Sequence, residues 1–543
     1  MKTIPEKKKL QVWLPLLFAI IMILGMVLGY KLRENTITAT SLFKFDNKRS
    51  PLQEVLDLVM LKYVDKVDTD TLGNDAIQDM LSKLDPHSAF IPARRLTEVN
   101  EDLQGNFQGI GIEFQIFRDT VNVLSVVPDG PSAKAGLQVG DKFLKVGDSV
   151  VAGKISSEGI KKMLRGPGGT RVSVELLRGK QRLNVQIQRG TIPLPSLDAA
   201  YLAAPGTGYI RLSKFAETTY EEFMAALEKL QSLGMQSLVL DLRGNGGGIL
   251  GEAVDIADEF LSDDKLIVYT EGNRMSRQEY RTRRKGLFET GKLVLLLDEA
   301  SASASEVLAG ALQDWDRATI VGRRSFGKGL VQEQYNLSDG SALRLTVARY
   351  YTPTGRSIQK PYDKGVDAYD NDLINRYQHG EMVNADSNKL TSGKAYKTQG
   401  GKTVYGGGGI TPDYFISVDT NLLSSTVTAL FQNNVVSNYS YLYFISNADR
   451  IRQYKNARAF AEGFRWTEAD WQDFGQFAGK SDVPVKAMKP HDRHFVELRM
   501  KAMMGRYLWR NEGYYEVINQ GDPALEKAVT LLAQPPSTTA VVK

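Results

Sequence analysis

The spacing of apolar positions changes several times along the chain, and each change marks a different kind of element. Residues 293–297, Leu-Val-Leu-Leu-Leu, form an unbroken apolar run of the kind expected for a strand buried on both faces. Alternating serines and alanines follow. Helical spacing then runs to about residue 314 and places Val307, Ala311 and Leu312 on one face. A second apolar run covers 318–322, and residues 330–337 alternate like a strand. The unit is β-α-β, with a serine at the helix start and a lysine just beyond the second strand. Glu306 stands three residues after Ser303, the spacing of a capping box. Upstream, the pattern predicts a strand over 209–215, an amphipathic helix over 218–233, a buried strand over 237–243 and a helix over 250–261. The glycine run Gly244-Asn-Gly-Gly-Gly248 separates the last two. Residues 191–440 are therefore expected to be an α/β region.

Other stretches have other periods. Residues 50–83 are helical in spacing, through Leu52, Val55, Leu58, Val59 and Leu61, then Ile77, Met80 and Leu81, and they end at Leu84-Asp-Pro86. Residues 105–190 carry short β runs punctuated by turn glycines. Residues 363–400 are polar and are expected to be a loop-rich insertion. Residues 441–533 are mostly helical, with Phe460, Phe464, Trp471, Phe474 and Phe477 at spacings that suit a core or a dimer surface. Residues 534–543 have the composition of a frayed tail.

Near the N-terminus, residues 12–30 are almost wholly apolar and follow Lys7-Lys-Lys9. That length just spans a bilayer, and the basic flank keeps the preceding end in the cytoplasm. Cleaved signal peptides have a shorter apolar stretch and a small-residue cleavage site, so an uncleaved signal anchor is expected. Gly25 and Gly29 form a G-x-x-x-G pair suited to helix pairing. The expected division is 1–34 cytoplasmic tail and signal-anchor helix, 35–104 linker and N-terminal helical segment, 105–190 β-domain, 191–440 α/β core and 441–543 C-terminal helical region.

Composition narrows the chemistry. A chain of 543 residues holds several domains. Its net charge of +5 gives no warrant for nucleic-acid binding. The absence of cysteine excludes disulfides, thiolate catalysis and Cys-based metal sites. Asp363, Asp367, Asp370 and Asp372 lack the glycine of a calcium loop, and His491 and His494 lack a third ligand, so neither metal nor cofactor is expected. Gly322-Arg-Arg-Ser-Phe-Gly327-Lys328-Gly329 approaches a phosphate-binding loop but has glycine where a hydroxyl must hold Mg²⁺, and a strand pattern follows where a helix should open.

Ser303 at a helix start has an ordinary explanation as a cap. The free N–H groups and dipole there also suit an oxyanion. Four histidines exist, His87, His379, His491 and His494, and none lies in the serine segment, so a Ser-Lys pair is simpler than a triad. A lysine that accepts a proton must lose its charge near neutral pH, which requires about 4 kcal/mol of environmental help.

The stretch Ser303-Ala-Ser-Glu306, Ala-Gly-Ala-Leu-Gln-Asp314, Phe-Gly-Lys328-Gly and Val-Gln332 resembles the active-site signature of the carboxyl-terminal processing (tail-specific) serine proteases. The resemblance implies Ser303 as nucleophile, Lys328 as general base and Gln332 as the residue that positions the lysine. Asp314 falls on an acidic position sometimes assigned to a charge relay. Residues 241–248 resemble the family's D-L-R-x-N-x-G-G, implying an oxyanion hole from the N–H groups of Ala304 and of a glycine near Gly246.

Phe107-Gln-Gly-Ile-Gly-Ile112 and Pro131-Ser-Ala-Lys-Ala-Gly-Leu-Gln-Val-Gly-Asp141 resemble PDZ segments, with Gly109, Ile110 and Gly111 in the carboxylate-binding loop. The fold implied is an α/β (α+β multidomain) chain. It has a ClpP/crotonase-like protease core, an inserted PDZ β-domain, an N-terminal helical segment used for dimer contacts and a C-terminal helical region. The function implied is cleavage of C-terminal tails of unfolded or precursor envelope proteins through an acyl-enzyme. Expected partners are polypeptides with free C-termini, the membrane through the N-terminal helix, and further copies in a homodimer or higher homo-oligomer. The expected location is the bacterial cell envelope, with an inner-membrane single-pass anchor and the protease in the periplasm. The rival reading is a non-catalytic peptide-binding scaffold of the same fold, which loss of Ser303 or Lys328 would have signalled; both are present.

Overall fold

The computed structural model describes residues 19, 21–26, 50–117, 119–153, 156–385, 393–420, 423–485 and 488–534. Most of the expected anchor at 12–30, the linker at 31–47 and residues 535–543 of the tail lie outside the described residues. Among the described residues no helix is long and apolar enough to cross a membrane.

Residues 1–76 and 77–543 form two compact units. In the first, the helix Pro51–Lys62 opens on proline, which costs nothing at the first helical position. None of its residues is buried, and Leu52, Val55, Leu58 and Leu61 leave an apolar stripe exposed.

The second unit is built on a six-stranded sheet ordered Leu197–Ala204, Thr207–Leu212, Ser237–Asp241, Lys292–Leu297, Thr319–Gly322, Tyr414–Phe415. The first pair is antiparallel and the rest are parallel. The unbroken apolar run at 293–297 follows from burial on both faces. Leu293, Leu295 and Leu297 cluster with residues of the helices Thr219–Ser232, Leu250–Asp258 and Ala304–Asp314. Val294 and Leu296 cluster with Ala524, Leu525, Ala528 and Leu532 of the helix Pro523–Ala533. The last helix, expected in a separate C-terminal region, thus covers one face of the core sheet.

A second sheet, antiparallel throughout, joins Ala89–Ile91, Ala342–Tyr351, Leu266–Glu271 and Gln278–Arg281, with Leu330–Asn336 also paired to Ala342–Tyr351. A third sheet, ordered Ile112–Phe117, Thr120–Val126, Lys142–Val146, Arg171–Arg178, Gln181–Gln188, has its own apolar core. The chain enters and leaves it through the antiparallel pair Asn106–Gly109 and Gly190–Pro193, which closes the inserted domain at its base.

The helical cluster begins at Ser425–Gln432, earlier than the pattern placed it, because that helix is short and buries only Val427 and Leu430. Its long element Pro490–Ile518 is broken at Trp509 and Arg510 and folds back on itself. Gly505 and Gly513 make that return possible: a Cβ on Gly505 would lie 2.7 Å from the Gly513 carbonyl oxygen, and one on Gly513 would lie 2.5 Å from that of Gly505. Among its described residues, the 363–400 insertion holds more regular structure than its polarity suggested. It contains the helices Val366–Asp370 and Asp372–Gln378 and part of a small hairpin, and it buries Tyr369 and Arg376.

Candidate active site

The strand Lys292–Leu297 delivers the chain to Ser303, which has φ 55° and ψ −115° immediately before the helix Ala304–Asp314. A non-glycine residue in that region carries strain of about 1–3 kcal/mol, which surrounding contacts must hold. Gly247 supplies one. A Cβ there would lie 2.8 Å from Ser303 Cβ and 2.9 Å from the Ala304 nitrogen, so a side chain does not fit.

Glu306 supplies several more. Every residue of the helix Ala304–Asp314 is buried, not one face alone, and Glu306 is the carboxylate in its first turn. Its Oε2 accepts the backbone N–H groups of Ser303 (2.9 Å) and Lys328 (2.8 Å). Its Oε1 accepts the Gly327 N–H (2.7 Å) and the Ser325 hydroxyl (2.5 Å). The Glu306 N–H goes to the Ser303 carbonyl at 2.8 Å. Burial pushes the carboxyl up to about 7, against these four hydrogen bonds, which favour the ionised form. One side chain therefore ties the serine turn to the lysine loop. A second tie is Tyr350, whose hydroxyl reaches the carbonyls of Lys328 and, at 3.1 Å, Ser303.

Lys328 Nζ donates to Gln332 Oε1 at 3.1 Å, and Gln332 Nε2 donates to the His87 carbonyl at 2.6 Å. Burial lowers the lysine pKa from its ordinary 10.5, and the Arg344 cation lowers it further. Gln332 holds the amine without adding a negative charge that would favour its protonation. Among the described residues no hydrogen bond joins Nζ to the Ser303 hydroxyl, and a neutral amine can keep its N–H on Gln332 while its lone pair faces the serine. Ser303, Ala304, Lys328, Gln332, Arg344 and the three glycines 246–248 line one cleft of about 570 Å³.

Within that cleft the Gly247 N–H is committed to Asn245 Oδ1 (2.9 Å), while the Cβ position of Gly246 faces open space. Asp314 lies at the other end of its helix. Arg356 pairs with it at 2.8 Å, and Thr354 donates from its N–H (3.0 Å) and hydroxyl (2.8 Å). That carboxylate is engaged elsewhere, so the charge relay considered from sequence has no contact with Lys328 or Ser303. His87 turns its Nε2 to the Tyr369 hydroxyl at 2.8 Å, and burial together with the Lys328 charge pushes it down to about 4.

Gly109, Ile110 and Gly111 line a separate groove of about 380 Å³ between the edge strand Ile112–Phe117 and the helix Ser157–Leu164. Gly111 has φ +76°, a conformation that suits glycine.

Sequence reasoning missed Glu306 as a clamp, Tyr350 as a tie and the His87 carbonyl as an anchor. It also missed Arg376, which reaches across from the insertion to the carbonyls of Arg324 (2.7 Å) and Ser325 (3.1 Å) beneath the lysine loop. The available signal was a glutamate in a helix whose other residues up to Leu312 are apolar or small, where a charge needs several partners.

The profile of peptidase family S41 matches residues 206–368, that of a PDZ domain residues 108–188, and that of a family of unknown function (DUF8443) residues 426–510. The carboxy-terminal-processing protease of Bartonella bacilliformis is 37% identical over 313 residues, covering 56% of this chain and 71% of the relative. The carboxy-terminal processing protease CtpB of Bacillus subtilis is 33% identical over 330 residues, covering 59% and 67%. Among solved structures, the photosystem II D1 C-terminal processing protease shares 28% identity over 68% of this chain and 88% of its own, with a TM-score of 0.34. With a serine turn and a buried lysine brought into one cleft beside a PDZ domain, the chain belongs to the carboxy-terminal-processing proteases of peptidase family S41 and is a serine-type peptidase.

Proposed function

We propose that the protein is a membrane-anchored endopeptidase of the bacterial envelope that binds the C-terminal tails of unfolded or precursor proteins and cuts them through a Ser303–Lys328 dyad. The observation that carries the dyad is the buried Lys328 amine, held on the neutral Gln332 amide in the same cleft as Ser303. Neutral Lys328 takes the proton from Ser303 Oγ as that oxygen attacks the scissile carbonyl. The developing oxyanion is met by the Ala304 N–H and by that of Gly246, since the Gly247 N–H is already committed. Lysine then gives its proton to the leaving amine, and water resolves the acyl-enzyme by the same exchange. The loop at residues 109–111 would take the free carboxylate of the tail, which adds to the edge strand Ile112–Phe117.

The anchor at residues 12–30 is supported by its length and basic flank. A homodimer or higher homo-oligomer is supported by the exposed apolar stripe of the helix Pro51–Lys62. The experiment is single-turnover cleavage of an unfolded protein by the wild type beside Ser303→Ala, with N-terminal sequencing of the membrane-extracted protein. Loss of cleavage in the variant and an intact N-terminus are expected. Cleavage that survives the substitution would end the dyad reading, and a mature start near residue 30 would end the anchor.

A further inference from the structure

The tail groove is not bounded by the inserted domain alone. Along the edge strand, Ile112, Phe114 and Ile116 pack into the domain's own core, so Glu113, Gln115 and Phe117 point outward. All three outward side chains meet the C-terminal helices. Arg506 lies 3.1 Å from Glu113, Gln115 Nε2 donates to Asn438 Oδ1 at 2.8 Å, and Phe117 stacks on Phe477. Tyr441 adds a hydrogen bond to the Val123 carbonyl of the next strand (3.4 Å). Arg506 itself lines the groove, its Nε fixed by Asn511 Oδ1 at 3.1 Å across the break in the long helix. The charged residues of the groove wall are Lys161, Arg165 and Arg506 against the single carboxylate Glu113.

We propose that the C-terminal helical region is the outer wall of the tail groove, and that Arg506 makes the groove prefer an acidic side chain at the penultimate position of the bound tail. The inference rests on residues 109–111 as the site of the terminal carboxylate. With the carboxylate there and the last side chain in the apolar pocket beside Ile110 and Ile112, alternation turns the penultimate side chain outward beside Glu113. Arg506 stands at that position, with donors beyond the one it gives Glu113. This gives residues 426–510, which match a family of unknown function, a part in choosing substrates.

The test is fluorescence-anisotropy binding of ten-residue peptides to the full-length Ser303→Ala protein, which binds without cutting. The peptides end in one apolar residue, carry Asp, Ala or Lys before it, and have free or amidated termini. Both members of the Arg506–Glu113 pair are half-exposed, so each change of charge should alter affinity only about threefold to fivefold. The expected order is Asp, Ala, Lys from tight to weak. Adding Arg506→Glu should reverse it, and Arg506→Gln should flatten it. Circular dichroism checks that each variant is folded, and the glutamine variant stands if the glutamate variant is not. A preference for free over amidated tails with the same order in every variant would overturn the inference alone. Equal binding of free and amidated tails would overturn the carboxylate site, and this inference with it.

Discussion

Replacing Glu306 by glutamine changes one atom type at the centre of the site, and its consequences can be weighed. Each carboxylate oxygen accepts two donors: Ser303 N–H and Lys328 N–H on one, Gly327 N–H and the Ser325 hydroxyl on the other. With the glutamine NH₂ toward Ser303 and Lys328, both backbone N–H groups lose their acceptor; with it toward Gly327 and Ser325, the Ser325 hydroxyl can turn to accept and only the Gly327 N–H is left unmet. Each buried N–H left unmet costs about 1–3 kcal/mol. Against this, holding the carboxylate ionised at pH 8 when burial raises it to about 7 from 4.5 already costs the wild type about 3 kcal/mol, which the neutral amide does not incur. The sign follows from the raised pKa. The native state binds the extra proton between pH 4.5 and 7, so stability from this group falls as pH rises through that window and the full penalty is present above it. The two effects nearly offset in global stability, and activity is the readout that discriminates. Once the clamp opens, the serine turn and the lysine loop are no longer fixed to each other, and a displacement near 1 Å costs on the order of 100-fold in rate. Glu306→Gln should therefore melt within a few degrees of the wild type yet cut an unfolded substrate at least about 100-fold more slowly in single turnover. A folded variant within threefold of wild-type activity would refute the clamp.

Three further outcomes follow from the same geometry. Lys328→Met should abolish cleavage while raising thermal stability by a few degrees, because it removes a buried amine; Lys328→Arg should also be inactive, since arginine stays protonated, and activity in either would remove lysine as the base. Cleavage should rise with pH as Lys328 loses its proton below its ordinary 10.5, and Arg344→Gln should move that limb to higher pH, because the arginine charge helps expel the proton; an unmoved profile in kcat/KM would show that another group titrates. Asp314→Asn should lower stability by about 3–5 kcal/mol in denaturant titration by stranding the buried Arg356, while the folded protein keeps its single-turnover rate; a selective loss of rate would restore the charge relay.

Much of this protein follows from its sequence because the decisive features are local. The run at 293–297 specified a doubly buried strand, since period-2 alternation vanishes when both faces meet apolar neighbours. The serine cluster, the helix to Asp314 and the lysine after the next strand were readable for the same reason, as were the PDZ segments, whose glycines mark backbone conformations and not contacts. The sites that resisted depend on residues far apart in the chain. Glu306 looked like a helix cap because its Ser303 partner is three residues away, whereas its other donors lie 19 to 22 residues further on and meet it only in the folded core. Gln332 is anchored by a carbonyl 245 residues earlier, and Asp314 is claimed by an arginine beyond the next three strands. The polar insertion gave no sign that Arg376 would support the lysine loop, nor did the aromatic spacing of the C-terminal helices show that Arg506 would reach the tail groove. Hydrophobic period records which face of an element is buried; it carries no information about which distant polar group completes a buried hydrogen bond, and that choice belongs to the tertiary structure.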